Sequence, residues 1–536
     1  MTQFDHKNLS LPQRFVRECR AARGLVKVVD STGARLTGGS LLMRSLIFRR
    51  LLLREVLADD ERYVGLLLPP SAGGVLANVA VSLCRRVAVN LNYTVTSDIL
   101  NYCIKECGIR HVLTSRRFME KMDFQLDCPL VYLEDFPEKV RAVDKAVAAW
   151  QAFVSPVASL DRRFGLDRIR PDDVMTIIFT SGSTARPKGV MLSYGNIASN
   201  VDAVDAIVHL RRDDAIAAFL PFFHSFGYTV TLWTVLTLNP KGVYHFSPLD
   251  AKIVGKLCGE HKCTILLSTP TFLRTYLKRC TPEEFKTLDV VVVGAEKMPL
   301  DVAAAFEAKF GTRPSEGYGT TELSPLVSVN VPESRSRAKG SLEHREGSVG
   351  RCVPGVEAKI VHPETREPIP TGESGMLLIR GPNVMQGYLN RPDATAEVIR
   401  DGWYTTGDIA FLDADGFIHI TGRESRFSKI GGEMIPHIKI EETIAEVLGD
   451  GGEELKAVVT AVPDAKRGER LVVLHTPLKK SPKEICQALA AAGLPNLWIP
   501  SSESFIEVEA IPVLGTGKLD LKQMRAIAES SMQPAQ

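Results

Sequence analysis

Residues 175–193, MTIIFTSGSTARPKGVMLS, hold the densest set of side chains able to do chemistry in this chain. An apolar run leads into Thr180, Ser181, Gly182, Ser183 and Thr184, then Lys188 and Gly189, and a second apolar run follows. Small hydroxyl residues and glycine let backbone N–H groups approach phosphate oxygens closely, and a lysine adds a point charge. The chemistry implied is polyphosphate binding. The loop is not of the Walker type, because Pro187 stands where that motif has glycine and Gly189 follows the lysine in place of Ser or Thr.

Such a loop needs a strand before it and a sheet around it. Strand-like apolar runs alternate with helical patterns over most of the chain. YVGLLL precedes LANVAVSLCRR, HVLTS precedes RRFMEKM, TILLS precedes PTFLRTYLKRC, and DVVVVGAEK precedes PLDVAAAFEAKF. That alternation predicts an α/β fold with largely parallel strands. From about Val349 short strands with turn residues take over, as in GRCVPGVEAKIVHPETREPIPTGESGMLLIRG, predicting a small β-rich subdomain. A further compact α/β stretch follows Arg423 and ends in a polar tail. The expected division is a large N-terminal domain over 1–422 and a small C-terminal α+β domain over 423–536.

Composition excludes some classes. The 65 basic and 63 acidic residues leave a net charge of +2, which gives no reason to expect a nucleic-acid partner. The ten cysteines are scattered, and Cys103 with Cys107 or Cys258 with Cys263 lack second pairs at zinc-site spacing, so a reduced, cytoplasmic setting is expected. The segment MTQFDHKNLSLPQRF has no apolar run behind a basic start. Two uncharged runs, 64–84 and 215–240, are interrupted by Pro69, Pro70, Gly73 and Gly74 and by Pro221 and His224, and read as buried strand-turn-helix units. In SLLMRSLIFRRLLLREVL, residues 40–57, leucines fall on every side of a helical wheel. A buried helix with snorkelling arginines is the expectation, with peripheral contact at the inner face of a membrane as the alternative.

The phosphate loop is followed by PFFHSFG (221–227), VVVGAEKM (291–298), EGYGTTELSP (316–325), YTTGDIAFLDADGF (404–417), GRESRFSKIGGEMI (422–435) and LGTGKLDL (514–521). In this order the motifs resemble the acyl-adenylate-forming superfamily, which includes acyl-CoA synthetases, peptide-synthetase adenylation domains and beetle luciferases. The resemblance covers nearly the whole chain. It implies ATP and Mg2+, with Glu322 as the metal ligand, Thr321 on the α-phosphate, and an adenine cradle of Gly294, Ala295 and Glu296 with Gly317, Tyr318 and Gly319. It further implies that Asp408 holds the ribose hydroxyls, Arg423 adds a ribose or phosphate contact, and His224 gates the acyl site. Lys518 is the implied catalytic lysine, carried on a mobile C-terminal domain. The implied reaction has two steps: a carboxylate attacks the α-phosphate and releases pyrophosphate, then a thiol attacks the acyl-AMP and releases AMP. The sequence departs from the family at Ser425, where an Asp or Lys is usual, and at Met434, where short-chain relatives have arginine.

Substrate identity is read from fewer residues. Amino-acid-activating relatives carry an aspartate in the motif matching PFFHSFG; none is present here, and an unpaired buried amine is costly. The uncharged run YTVTLWTVLTL, 228–238, either walls a hydrocarbon tunnel or is core. RFSKIGGEM, LPNLWIP and IPVLGTGKLDL resemble the synthetase half of the bifunctional 2-acylglycerophosphoethanolamine acyltransferase/acyl-[acyl-carrier-protein] synthetases. A fatty acid and the phosphopantetheine of acyl carrier protein are therefore the implied substrates, with Arg426, Lys429, Lys466, Arg467 and Arg470 facing the acidic carrier. The alternatives are a medium- or long-chain fatty acyl-CoA ligase using coenzyme A and, in another class, a non-catalytic nucleotide-binding scaffold. His209 and Asp214 match the His-x-x-x-x-Asp spacing of the acyltransferase half, but lie inside the nucleotide domain, where coincidence is expected.

Overall fold

Each apolar run taken above as a strand before a helix forms one. In the computed structural model YVGLLL gives Tyr63–Leu66 before helix Ala72–Leu83, and TILLS gives Ile265–Ser268 before Pro270–Arg279. The structure describes residues 8–180, 186–336, 343–423, 426–430, 433–449, 456–464, 467–513 and 519–532. Ser181, Gly182, Ser183, Thr184, Ser425, Lys466 and Lys518 lie outside the described residues, as do the side chains of Lys429 and Met434.

By compactness the chain forms two units. The larger runs to Ala358 and adds Leu378–Tyr404 and Ala414–His419; the smaller holds Lys359–Leu377, Thr405–Asp413 and the chain from Ile420 onward.

Two sheets build the larger unit. In one, Val174–Thr180, Val87–Asn90, Tyr63–Leu66, Val112–Thr114 and Leu130–Tyr132 run parallel in that order, and Lys188–Ser193 and then Gly387–Tyr388 close one edge antiparallel. In the other, Ser315–Gly319, Val290–Val293, Ile265–Ser268, Ala215–Ala218, Lys241–Tyr244 and Val26–Asp30 are parallel neighbours, with antiparallel strands at both edges. Helices on parallel sheets bury both strand faces, which is why these strands read as continuous apolar runs. In such sheets ligands bind beyond the carboxyl ends of the strands, and Thr180, Gly294 and Thr320 each follow or complete such an end.

The basic segment 40–57 is a core helix. Gly38–Glu55 buries Leu41, Leu42, Leu46, Phe48, Leu51 and Leu52, Arg49 stacks 4.0 Å over Phe164, and Arg50 and Arg54 reach buried Asp144 at 2.9 and 2.7 Å. Among the described residues no helix is long and apolar enough to cross a membrane. The run after Phe226 is buried throughout, first as a π-helix, Gly227–Trp233, then as Thr234–Thr237. Its hydroxyls are spent on main chain: Thr229 donates to the Ser324 carbonyl at 2.6 Å, Thr231 to Gly227 at 2.6 Å, and Thr237 to Trp233 at 2.7 Å.

In the smaller unit Glu433–Pro436, Phe427–Ile430, Gly468–His475 and Ala457–Asp464 form a sheet in that order, with Phe505–Glu507 parallel to Gly468–His475. Strand alternation sorts its two faces. Val459, Leu471 and Val473 pack with Ile440, Ile444, Ile485 and Leu489, whereas Val458, Val472 and Leu474 pack with Met524 and Ala528 of Leu521–Met532.

Asp214, the second member of the acyltransferase-like spacing, serves the core. The Arg335 guanidinium, 1% exposed, lies 2.7 Å from Asp214, 2.7 Å from Asp289, and Asp214 itself is 2% exposed. Asp214 also accepts from the Arg211 N–H and the Thr264 hydroxyl. Arg335→Met strands a buried carboxylate and should cost roughly 3–5 kcal/mol in urea unfolding, with Arg335→Met/Asp214→Asn recovering part of it; a loss within experimental error would show that the pair holds nothing together.

Candidate active site

The phosphate loop is closed by backbone pairing. Val174–Thr180 and Lys188–Ser193 are antiparallel, and their last ladder pair is Thr180 with Lys188, so these two residues flank the loop. On the other side of the hairpin Tyr388 pairs with Val190. The Lys188 Nζ lies 4.8 Å from the centre of the Tyr388 ring, and the Tyr388 hydroxyl donates to Glu322 Oε1 at 2.9 Å. Burial and the Glu322 carboxylate push the Tyr388 phenol up, so it stays a donor. The Met385 N–H donates to the Glu322 carbonyl at 2.8 Å, which fixes the main chain beneath that carboxylate. A cation, a ring and a carboxylate are thus joined in one line of contacts, the cation over the ring face and the carboxylate at its hydroxyl.

Three features of that line suit a magnesium triphosphate. Among the described residues Lys188 has no carboxylate partner, and the second Glu322 oxygen has no hydrogen bond. The neighbouring Thr320 hydroxyl is buried without a partner. A carboxylate oxygen is a hard ligand of the kind magnesium takes, and a buried orphan hydroxyl is a group that a ligand oxygen would satisfy.

PFFHSFG meets GYGTTE directly. The Ser225 hydroxyl lies 3.4 Å from the Thr321 hydroxyl, and His224 Nδ1 accepts from the Phe226 N–H at 3.3 Å. Gly227 packs so closely that an added Cβ would sit 2.1 Å from the Pro221 carbonyl oxygen. The predicted adenine residues also meet. Val290–Val293 and Ser315–Gly319 are parallel with Val293 opposite Glu316, and a Cβ on Gly294 would lie 3.4 Å from the Gly317 oxygen and 3.6 Å from the Phe226 ring. Ala295 takes a left-handed φ of 69°, and exposed Glu296 accepts from the Thr271 hydroxyl at 2.8 Å. The Met298 N–H donates to Glu316, whose carboxyl burial pushes up. Tyr318, half-buried, pairs with Ser328, and the register shifts between it and Gly319.

Asp408 and Arg423 lie in the smaller unit. Asp408, 2% exposed, sits on Trp403–Leu412, and Arg423, 60% exposed, ends Ile418–Arg423 with its Nε 2.9 Å from Asp408 Oδ1. The Asp408 N–H donates to the Thr406 hydroxyl, which donates to the Leu377 carbonyl at 2.9 Å. A buried carboxylate is thereby held beside a solvent-facing guanidinium. Arg426 corrects an expectation. It is buried, pairs with Glu441 and donates to the Val459 carbonyl at 3.2 Å, so it is unavailable to a carrier protein. Burial and Arg426 also push neighbouring His437 down to about 3, and this neutral imidazole shares a hydrogen bond with the Ser428 hydroxyl, Nε2 to Oγ 2.6 Å.

Fold and site together are a parallel α/β unit whose hydroxyl- and glycine-rich segment is flanked by the paired residues Thr180 and Lys188, with Lys188 over the ring that donates to Glu322. The chain belongs to the AMP-binding enzyme family, whose model matches residues 15–389. It is 31% identical over 371 residues to a long-chain fatty acid–CoA ligase of Bacillus subtilis, a stretch covering 66% of this chain and 62% of that protein. It is 31% identical over 390 residues to a feruloyl-CoA synthase of Amycolatopsis, covering 72% of this chain and 76% of that one. Its fold matches ATP-bound MatB from Rhodopseudomonas palustris with a TM-score of 0.77 at 23% identity, over 97% of this chain and 100% of the other. It also matches B. subtilis o-succinylbenzoate CoA synthetase in complex with its acyl-adenylate, with a TM-score of 0.78 at 21% identity, over 95% and 97% of the two chains.

Sequence reasoning missed Tyr388, Thr320 and Ser225. The one available signal was a second hydroxyl beside Thr321 and one beside His224; Tyr388 stands 66 residues from Glu322 and gave none. Gly319→Ala places a Cβ 1.8 Å from the Pro325 carbonyl oxygen. It should lower the melting temperature by several degrees and suppress ATP binding measured calorimetrically; full retention of both would mean that the main chain there yields freely.

Proposed function

We propose that this protein activates a fatty acid with ATP to an acyl-AMP and transfers the acyl group to a thiol. The observation that supports it most is the line of contacts from Lys188 through Tyr388 to Glu322, in a chain similar to long-chain fatty acid–CoA ligases. The functional division falls at 422/423, with the smaller C-terminal domain supplying Lys518. The loop from Thr180 to Lys188 binds the phosphates, and Glu322 and the hydroxyls of Thr320 and Thr321 border them. Gly294 to Glu296 and Gly317 to Gly319 take adenine, Asp408 with Arg423 the ribose, and His224 the acyl carboxylate's surroundings. A magnesium ion, when bound at Glu322, neutralises triphosphate charge. Attack of one anion on another is opposed by repulsion, and the Lys518 ammonium offsets it most in the transition state.

The preferred acceptor is the phosphopantetheine of acyl carrier protein, supported by the likeness of RFSKIGGEM and IPVLGTGKLDL to acyl-carrier-protein synthetases. The second reading, coenzyme A, is favoured by the names of the ligases to which the chain is similar. Purified protein given ATP, magnesium, palmitate and both thiols in competition should yield acyl carrier protein thioester by mass spectrometry. Acyl-CoA alone would establish the second reading, and no pyrophosphate with any acid would leave a non-catalytic nucleotide binder.

Two substitutions test the roles. Lys518→Ala should lower pyrophosphate release by about 10²–10³-fold while sparing thioester formation from supplied acyl-AMP; equal loss of both steps would assign the lysine elsewhere. Tyr388→Phe keeps the ring under Lys188 but removes the hydrogen bond to Glu322. It should raise the magnesium needed for half-maximal rate by about tenfold with the KM for ATP little changed, since a hydrogen bond to a charged group is worth about 1.5–3 kcal/mol; an unaltered magnesium response would remove Tyr388 from the site.

A further inference from the structure

Helix Ala142–Phe153 is apolar on two sides. One side, through Ala148 and Ala152, packs into the molecule beside helix Gly38–Glu55. The other runs through Val143, Val147, Trp150 and Val154, at spacings of four, three and four residues, which places them in one stripe along a helix. Three of its four residues are exposed, Val143 at 53%, Trp150 at 46% and Val154 at 68%, and Val147 between them is half-buried. The stripe extends roughly 16 Å, the rise of eleven helical residues. Arg23 stacks 4.2 Å over the Phe153 ring and brings the turn bearing Leu25, 48% exposed, to the same corner. Isolated exposed aliphatics are ordinary, whereas a continuous stripe centred on a tryptophan marks a contact surface.

The charge around the stripe is mostly positive, with exposed Glu138 on the short helix Phe136–Lys139 before it as an exception. Segments 11–23, 38–55, 141–153 and 157–164, which form this corner, contain twelve Arg and Lys against four Asp and Glu, in a chain whose net charge is +2. Three of those carboxylates are buried in ion pairs: Glu18 with Lys27, Asp144 with Arg50 and Arg54, and Asp161 with Arg17. Glu55 alone is exposed, against seven exposed cations. Arg14 is answered from outside by Asp202.

We propose that this face docks on an anionic lipid surface, with Val143, Trp150 and Val154 at the boundary of headgroups and acyl chains and Arg23, Arg141 and Lys145 among the headgroups. A second copy of the chain would bring a like excess of positive charge to the contact. An acidic folded partner would need a complement shaped to side chains that protrude, which a fluid surface supplies without one. The docking helix is thus not the basic Gly38–Glu55, whose leucines are core, but its neighbour. The inference goes beyond the ligase reaction and does not depend on it.

The test is co-sedimentation of the full chain with vesicles of phosphatidylcholine alone and of three parts phosphatidylcholine to one part phosphatidylglycerol, at low and high salt. Binding should need phosphatidylglycerol and fall by about tenfold or more at high salt. Val143→Asp/Val154→Asp should abolish it while leaving the thermal unfolding curve unchanged. Trp150→Phe should keep most of the binding and lose the blue shift of tryptophan emission that vesicles produce. Equal binding to both vesicles, no binding to either, or full binding by the double variant overturns the proposal. So does a dimer, or a complex with acyl carrier protein, that the same double substitution disrupts.

Discussion

The candidate site depends first on the backbone pairing of Val174–Thr180 with Lys188–Ser193. A parallel sheet leaves its strand ends as open loops, and a polyphosphate loop on such an end would have one anchored side. Here the chain turns back on itself and rejoins the sheet as an antiparallel edge, so the loop has two anchored sides and Thr180 faces Lys188 across its mouth. The same edge then accepts Gly387–Tyr388, and through that two-residue strand the hairpin reaches Glu322. Hydrogen bonds of main chain, independent of side-chain identity, decide the spacing of the charged groups.

Glycines serve this arrangement where two stretches of backbone come closest. Gly227 and Gly319 each have a carbonyl oxygen where a Cβ would be, at 2.1 and 1.8 Å. These contacts fold PFFHSFG and GYGTTELSP each tightly on itself, and the two segments, almost a hundred residues apart, then meet through the Ser225 and Thr321 hydroxyls. Motif residues that stand far apart in the sequence come together here for a physical reason: a site assembled from main chain needs residues with no side chain to intrude.

The fold was legible because buried parallel strands must be apolar on both faces, and runs such as 290–293 can hardly be anything else. The family was legible because its motifs need particular residue types next to one another, as in 180–189. What was not legible was set by partners distant in the chain. Arg426 looked like a surface cation until Glu441 and the Val459 carbonyl enclosed it. Tyr388 has no local pattern, since its function comes from a strand it joins and a carboxylate it meets. The run 228–238 fitted core and tunnel equally from its composition; in the fold it is buried, with the hydroxyls of Thr229, Thr231 and Thr237 bonded to main chain.

The π-helix Gly227–Trp233 has one further implication. A π turn accommodates one residue more than an α turn over the same rise, so it is a local surplus of chain stored inside a helix. Such a surplus absorbs insertion or loss of a single residue between Ala215–Ala218 and Lys241–Tyr244 without shifting the register of either strand. The length of chain that follows PFFHSFG can therefore drift over evolutionary time while the sheet it crosses stays fixed, and each step turns the side chains downstream of Gly227 by about a hundred degrees. Among related proteins, variation in what this buried segment presents can arise from counting residues as well as from exchanging them.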